Sequence, residues 1–379
     1  MELGIYLKPI LSACYVFPFL AALFTLPYII FQYRKYGSIL LLRVAIVYTF
    51  IFYMMTSYFM TILPLPPIDS VTPDTASVLL TPFDALRNWV DTSGIVFSDP
   101  STYFSSLKNE YFLQIFFNIL LIFPFGVYLR YYFNRKWYQV IMLSFLYSLF
   151  FEMTQLSGLY GIYPYPYRYF EVDDLICNTL GGFIGYICTP LLLFMLPDRK
   201  RLDDMSYDKG THVSIFRRMI ALAFDSVIIG ICYLFLIKKT ALSDVIPSYT
   251  HGLIIPFIAF IYFTITTVIF GGYTLGKFIV KIRIVNEDNM KAPFHMLVIR
   301  NAILYLLLLP SLIYSTTLIN YMESISNSRL QLAAIIGISI LLAIAAYFAL
   351  NILSCFVRRK VQFGYDRICH LMVVSTIKN

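Results

Sequence analysis

Charge is what this sequence has least of. Asp, Glu, Lys and Arg make up 13% of its 379 residues, about half the share of roughly 25% in an average soluble domain. Hydrophobic residues reach 59%, aromatics 18%, and the mean hydropathy is +0.74. A soluble globular chain is therefore excluded. Histidine is scarce as well: His212, His251, His295 and His370 are scattered and form no H-E-x-x-H pair. The cysteines Cys14, Cys177, Cys188, Cys232, Cys355 and Cys369 contain no C-x-x-C. Most fall inside apolar runs and read as small buried hydrophobes rather than as a disulfide framework or a metal cluster. No metal and no cofactor is expected. The net charge of +8 is not matched by a basic patch beside a reading helix, so nucleic acid is not an expected partner.

What the chain has in quantity is long apolar runs. A spanning helix needs about 20 mostly apolar residues. Such runs lie near 10–32, 38–63, 112–132, 138–157, 172–197, 215–237, 252–272, 294–319 and 330–355. The fold class is all-α, a polytopic integral membrane protein with about nine transmembrane helices. The first run, from Pro9 to about Phe31, is too long for a signal-peptide core and is expected to stay as a helix. Basic residues then set the orientation. Arg34, Lys35, Arg135, Lys136, Arg199, Lys200, Arg201, Lys209, Lys277, Lys281, Arg283, Lys291 and the tail around Arg358 fall on one side. The other side keeps only Lys8, Arg87, Lys108, Arg168, Lys238, Lys239 and Arg329. The positive-inside rule puts the N-terminus outside and the C-terminus in the cytoplasm of a cell-membrane protein. The longest loop, about Pro64 to Tyr111, then lies outside, with TASVLLTPF as an interfacial piece.

On this map, polar groups gather at the outer ends of three helices. Glu152 and Gln155 in FFEMTQLSGLY are three apart and share a face. Asp174 and Asn178, in FEVDDLICNTLGGFIGY, are four apart, with Asp173 beside them. Asn118 lies in the outer third of the third span, and Arg168 in the short loop before the fifth. Such groups can be interfacial residues that pair among themselves, with Arg168 neutralising Asp173 or Asp174. Glu152, however, lies within its helix, and an intramembrane carboxylate points to a functional site. Gly181-x-x-x-Gly185 would let a neighbouring helix approach closely, and Pro124 is expected to kink the third span.

The ordered set Asn118, Pro124, Gly126, Glu152, Gln155, Arg168, Asp173, Asp174, Asn178, Gly181, Gly185 and Tyr186 resembles the VanZ-like family over roughly residues 1–197. That family is named for a protein that lowers bacterial susceptibility to teicoplanin. The resemblance implies a five-helix VanZ-like domain and an outer site at Asn118, Glu152, Gln155, Arg168, Asp173, Asp174 and Asn178.

The second half has its own signature. Arg218 and Asp225 in FRRMIALAFDSVIIG are seven apart, two turns along one face. Asp225 lies about 10 Å into the sixth span at 1.5 Å per residue. Arg300, a few residues into the eighth span, is at a similar depth and is the expected ion-pair partner of Asp225. GGYTLGKFIVKIRIVNEDN contains G-x-x-x-x-G-K, but Phe278 stands where a phosphate loop needs Ser or Thr. Phe278 to Val285 alternates instead, as a short strand or interfacial hairpin with a turn at Asn286 to Asn289. Arg218, Ala221, Asp225, Gly272, Thr274, Gly276, Lys277, Arg283, Val285, Arg300, Asp366 and Arg367 resemble the RDD family over roughly 211–376. Cys369, His370 and Leu371 depart from that family's D-R-x-A-G-T ending. The resemblance implies a four-helix domain over 211–379. Its inner cluster comprises Arg218, Asp225, Gly272, Thr274, Gly276, Lys277, Arg300, Asp366 and Arg367. The charged segment 198–210 reads as a cytoplasmic linker between the halves.

Three functions compete. A non-enzymatic envelope protein would bind membrane lipids or a lipid-linked cell-wall intermediate at the outer cluster and lower glycopeptide susceptibility. The glycopeptide itself is a further candidate partner. An ion or small-solute transporter, such as a cation–proton exchanger, would use Asp225, Asp366 and Glu152. A membrane hydrolase or transferase would hold a divalent metal on Glu152, Asp173 and Asp174 against a lipid phosphate. The first is preferred, because the resemblance carries a phenotype and the cluster faces the leaflet where such lipids are used.

Overall fold

The structure is a computed structural model, and it describes residues 4–75, 78–239, 251–311, 328–357 and 362–377. Ala76 and Ser77 of the interfacial piece, and Arg358, Arg359, Lys360 and Lys378 of the basic tail, lie outside the described residues.

Helix dominates among the described residues. In hydrocarbon every backbone N–H and C=O needs an internal partner, and helices supply one within a single segment. Among the described residues, eight helices are long and apolar enough to cross a membrane, and Ile254–Ile269 is a shorter apolar helix. The seventh expected span, 252–272, therefore falls on a helix shorter than the others. The eighth, 294–319, is described only to Ser311.

The chain divides into two compact units. The first comprises Met1–Leu26 and Leu40–Asp203, and the second Pro27–Ile39 and Asp204–Asn379. The division passes through α1 (Gly4–Tyr36) and through α9 (Arg199–Thr211). The charged segment expected as a linker is thus helical over most of its length.

The first unit is built on α2 (Leu41–Ile62), α5 (Glu110–Tyr131), α6 (Trp137–Leu156) and α8 (Val172–Leu192). Glycine lets α5 and α8 touch backbone to backbone. A Cβ on Gly181 would stand 2.1 Å from the Ile119 carbonyl oxygen, one on Gly185 2.0 Å from that of Phe123, and one on Gly126 1.9 Å from that of Gly182. Residue side chains larger than hydrogen are sterically barred there. Pro124 sits inside the continuous helix α5. The long loop is ordered by α3 (Asp84–Thr92), by the single turn α4 (Tyr103–Ser106) and by a short parallel pairing of β1 (Val78–Leu79) with β2 (Phe170–Glu171). Trp89 Nε1 donates to the Ser106 carbonyl at 3.0 Å, closing the loop on itself. After α6 a tight turn, α7 (Gly158–Gly161), reverses the chain, with Leu159 and Tyr160 both at positive φ.

The second unit holds α10 (Ile215–Lys239), α11 (His251–Ile269), the short α12 (Leu275–Ile279), α13 (Phe294–Ser311), α14 (Ser328–Val357) and α15 (Gly364–Ile368). Residues 303–308 of α13 are π-helical. The alternating segment after α12 forms strand β3 (Ile282–Asn286), followed by a turn closed by Asn286 N–H to Met290 O at 3.1 Å. Its antiparallel partner is β4 (Leu371–Ser375), with Ile284 opposite Val373. The strand is therefore paired with the C-terminal end of the chain, in addition to the single bridge Val285–Lys291 that its own turn makes. Ile282, Ile284, Leu371 and Val373 turn inward onto Val280, Leu297 and Ala221 and form the apolar core of this unit.

Candidate functional site

In the first unit the helix ends enclose a pocket of about 240 Å³. Asn118, Glu152, Gln155, Arg168, Asp174 and Asn178 all line it, together with backbone and apolar side chains of α2 and α5. Of the seven residues that sequence placed in this cluster, Asp173 is the one not on the lining.

Each side chain is held from a different element. Glu152, 2% exposed, accepts a hydrogen bond on Oε2 from the Glu171 amide at 3.0 Å. Asn118 Nδ2 of α5 donates to Asp174 Oδ1 of α8. Asn178 Nδ2 donates to Ser148 Oγ at 2.9 Å, and Ser148 in turn donates to the Asp174 carbonyl at 3.4 Å. Because the Ser148 proton is used on that carbonyl, its lone pair takes the Asn178 N–H, which fixes the orientation of the amide. Asn178 Oδ1 is then left buried with no partner among the described residues.

Arg168 forms no salt bridge with Asp173 or Asp174, the pairing that an interfacial role would use. Its Nη1 donates to the Thr61 carbonyl at 2.8 Å and its Nη2 to the Leu63 carbonyl at 3.1 Å. Gln155 Nε2 donates to the same Thr61 carbonyl at 3.0 Å. The C-terminal carbonyls of a helix lack intrahelical partners and carry partial negative charge, so the end of α2 competes successfully for the guanidinium. Asp173 is also drawn elsewhere. Its two oxygens accept from the amides of Phe83, at 2.5 Å, and Ala85, at 2.8 Å. It caps α3 from a distant part of the chain and anchors the long loop. That removes one of the three carboxylates on which the metal-dependent reading relied. Among the described residues no three His, Cys, Asp or Glu side chains are grouped as a metal site requires.

Sequence reasoning missed two supports. Ser148 lies one turn before Glu152 on α6, and Gln114 one turn before Asn118 on α5. Gln114 Nε2 donates to Glu171 Oε2 at 2.8 Å. Burial pushes the Glu171 carboxyl above its ordinary range; the Gln114 bond opposes this and the nearby Asp173 adds to it. The four-residue spacing was the available signal for both.

In the second unit the expected pairing is rearranged. Arg300 Nε donates to Asp366 Oδ1 at 2.7 Å, and Arg218 Nη1 to Asp366 Oδ2 at 2.9 Å. Asp366 is fully buried between them. Asp225, also fully buried, is not the partner of Arg300. It accepts from three neutral donors: Tyr262 Oη at 2.7 Å and the Gly276 amide at 2.8 Å on Oδ1, and Thr274 Oγ1 at 2.6 Å on Oδ2. The G-x-x-x-x-G-K segment thus turns its amide toward a carboxylate of its own chain. Close packing makes this possible, since a Cβ on Gly276 would stand 2.0 Å from the Ala221 carbonyl oxygen. Gly272, at φ +97°, passes equally close to the Ile284 carbonyl.

Lys277 is buried, with Nζ 3.5 Å from Thr274 Oγ1 and 5.1 Å from the centre of the Phe263 ring. Burial, reinforced by the positive charge of Arg300 and opposed by Asp225 and Asp366, lowers its pKa to about 7. Arg367 is exposed and stands apart from this cluster, reaching toward the Gln362 carbonyl at 3.5 Å. Arg217, which sequence reasoning passed over beside Arg218, is 1% exposed. It donates to the carbonyls of Val280, Gly210 and Lys281 at 2.7 to 2.8 Å, tying three segments of the unit together.

Comparison with known proteins places both halves. The VanZ/LLP1 family model matches residues 50–194, and the RDD family model matches residues 212–370. No curated protein and no solved structure gave a match. The chain is a multi-pass membrane protein that joins a VanZ-like family domain to an RDD family domain.

Proposed function

We propose that the VanZ-like half binds the headgroup of a membrane lipid, or of a lipid-linked cell-wall intermediate, in the pocket between its helix ends, and thereby lowers susceptibility to glycopeptides of the teicoplanin type. The observation that carries this reading is the convergence of six polar side chains on one pocket of about 240 Å³. Two of them are carboxylates in membrane helices, where an ionisable group is costly and marks a ligand or ion path by default. With the N-terminus outside, as the loop basic residues indicate, the pocket opens toward the outer leaflet, where cell-wall intermediates are consumed. The lipid is bound rather than transformed.

The RDD half contributes a buried charge cluster in which Asp225, Arg300 and Asp366 are bonded within the protein, which suits a scaffold for the membrane helices. The test is a susceptibility assay in cells expressing the full chain. Glu152→Gln and Asp174→Asn are expected to remove the protection while the protein still inserts into the membrane. Full protection from both variants contradicts the reading.

A further inference from the structure

The hydrogen-bonding character of the pocket is uneven, and the imbalance names the chemistry of its occupant. Each of its nitrogen-bearing side chains already makes at least one bond within the protein. Asn118 Nδ2 is on Asp174, Gln155 Nε2 and Arg168 Nη1 are on the Thr61 carbonyl, Arg168 Nη2 is on the Leu63 carbonyl, and Asn178 Nδ2 is on Ser148. Its acceptors are in surplus. Glu152 and Asp174 each present a carboxylate that can take about four hydrogen bonds when ionised. Asn178 Oδ1, on a side chain 3% exposed, is buried with no partner among the described residues. A buried acceptor left without a donor costs about 1–3 kcal/mol, so this oxygen selects for a group that brings an N–H or O–H. Charge points the same way. The lining carries two carboxylates against one guanidinium, and that guanidinium is bonded to neutral carbonyls.

Resting on the headgroup reading above, we propose that the pocket recognises a primary ammonium group, with Glu152, Asp174 and Asn178 Oδ1 as its acceptors. A primary ammonium carries three N–H donors and one positive charge, which matches three acceptors and the excess of negative charge. A quaternary ammonium supplies the charge but no N–H, and would leave Asn178 Oδ1 unpaired. A phosphate or a sugar acid without an amine would bring a third negative charge beside two carboxylates. Arg168 retains N–H groups beyond its two bonds and is the one cation on the lining, so it suits the phosphodiester that accompanies the amine in an aminophospholipid.

The test uses the full-length protein in nanodiscs holding equal parts of phosphatidylethanolamine, phosphatidylcholine and phosphatidylglycerol, with retained lipid read by native mass spectrometry. Phosphatidylethanolamine is expected to be retained at least about tenfold over the other two, the worth of a charge-assisted hydrogen bond. Asp174→Asn and, separately, Glu152→Gln are expected to bring it down to the phosphatidylcholine level. Retention of phosphatidylcholine or phosphatidylglycerol as strong as that of phosphatidylethanolamine, and still dependent on Asp174, overturns the ammonium assignment but leaves headgroup binding standing. Retention of none of the three, unchanged in both variants, overturns both. A second arm adds free ethanolamine to the detergent-solubilised protein and follows thermal stability. Stabilisation that Asp174→Asn abolishes assigns a soluble amine as a sufficient ligand. Phosphatidylethanolamine retention without it assigns the lipid, and either result supports the ammonium.

Discussion

Replacing Asp366 with Asn removes one negative charge from between two arginines. Asp366 is fully buried and accepts from Arg218 at 2.9 Å and from Arg300 at 2.7 Å. The amide keeps one acceptor but turns an NH₂ toward a guanidinium, so a cation is stranded in the interior. Breaking a buried ion pair in this way costs about 3–5 kcal/mol, which in a unit of this size lowers the melting temperature by on the order of 10 °C. Asp225→Asn is expected to be milder, about 1–3 kcal/mol, because Asp225 accepts hydrogen bonds only from neutral donors and one of them loses its acceptor. The sharper readout is a double-mutant cycle with Arg300→Met, followed by thermal unfolding of the full chain in detergent. Asp366 and Arg300 are expected to couple by about 3 kcal/mol, at the top of the range for contacting residues. Asp225 and Arg300 are expected to couple by no more than about 0.5 kcal/mol, as sites without a shared bond do. Stronger coupling of Arg300 to Asp225 than to Asp366 would refute this wiring of the cluster.

Three further outcomes follow from the packing and the charges. Gly185→Ala puts a Cβ 2.0 Å from the Phe123 carbonyl oxygen and is expected to cost more than about 2 kcal/mol by overpacking. Gly230→Ala, with nothing within 4 Å of the new atom, is expected to be neutral or stabilising by up to about 1 kcal/mol, and thermal melts of the two variants compare them directly. Asp173→Ala removes the acceptor for the Phe83 and Ala85 amides, a capping loss of about 0.5–2 kcal/mol; limited proteolysis should cut the 64–110 loop faster while the spanning helices stay protected. Lys277, with its pKa lowered to about 7 by burial, should make stability rise with pH. Below pH 7 both states hold the proton, whereas between about 7 and 10.4 the unfolded chain binds more protons than the folded one. Melts from pH 6 to 9 should therefore show a climb above neutrality that Lys277→Met flattens, and an equal slope in that variant counts against the assignment.

The parts of the molecule that depend on local chemistry were readable from the chain. Runs of about 20 apolar residues gave the spanning helices. Helical spacing brought Glu152 to Gln155 and Asp174 to Asn178 on shared faces, and six of the seven residues placed in that cluster line one pocket. The glycines of α8 announced close packing, which is what their contacts with α5 are.

The partners of the charges were not readable. Depth matching pointed Arg300 at Asp225, yet its carboxylate comes from Asp366, 66 residues further on and after another spanning helix. Asp173 and Arg168 bond backbone groups, and a carbonyl or an amide leaves no mark in the sequence to say that it is available. The pairing of β3 with β4 escaped for the same reason. Leu371 to Ser375 is a five-residue strand, with nothing local to indicate its distant partner.

Headgroup recognition by the VanZ-like half requires an occupied pocket. An experimental density map of the full chain in nanodiscs made with phosphatidylethanolamine tests it most directly. Headgroup density is expected among Glu152, Asp174 and Asn178, with a donor within hydrogen-bond distance of Asn178 Oδ1. A well-ordered pocket at comparable local resolution that holds only water, with lipid headgroups elsewhere, would contradict it.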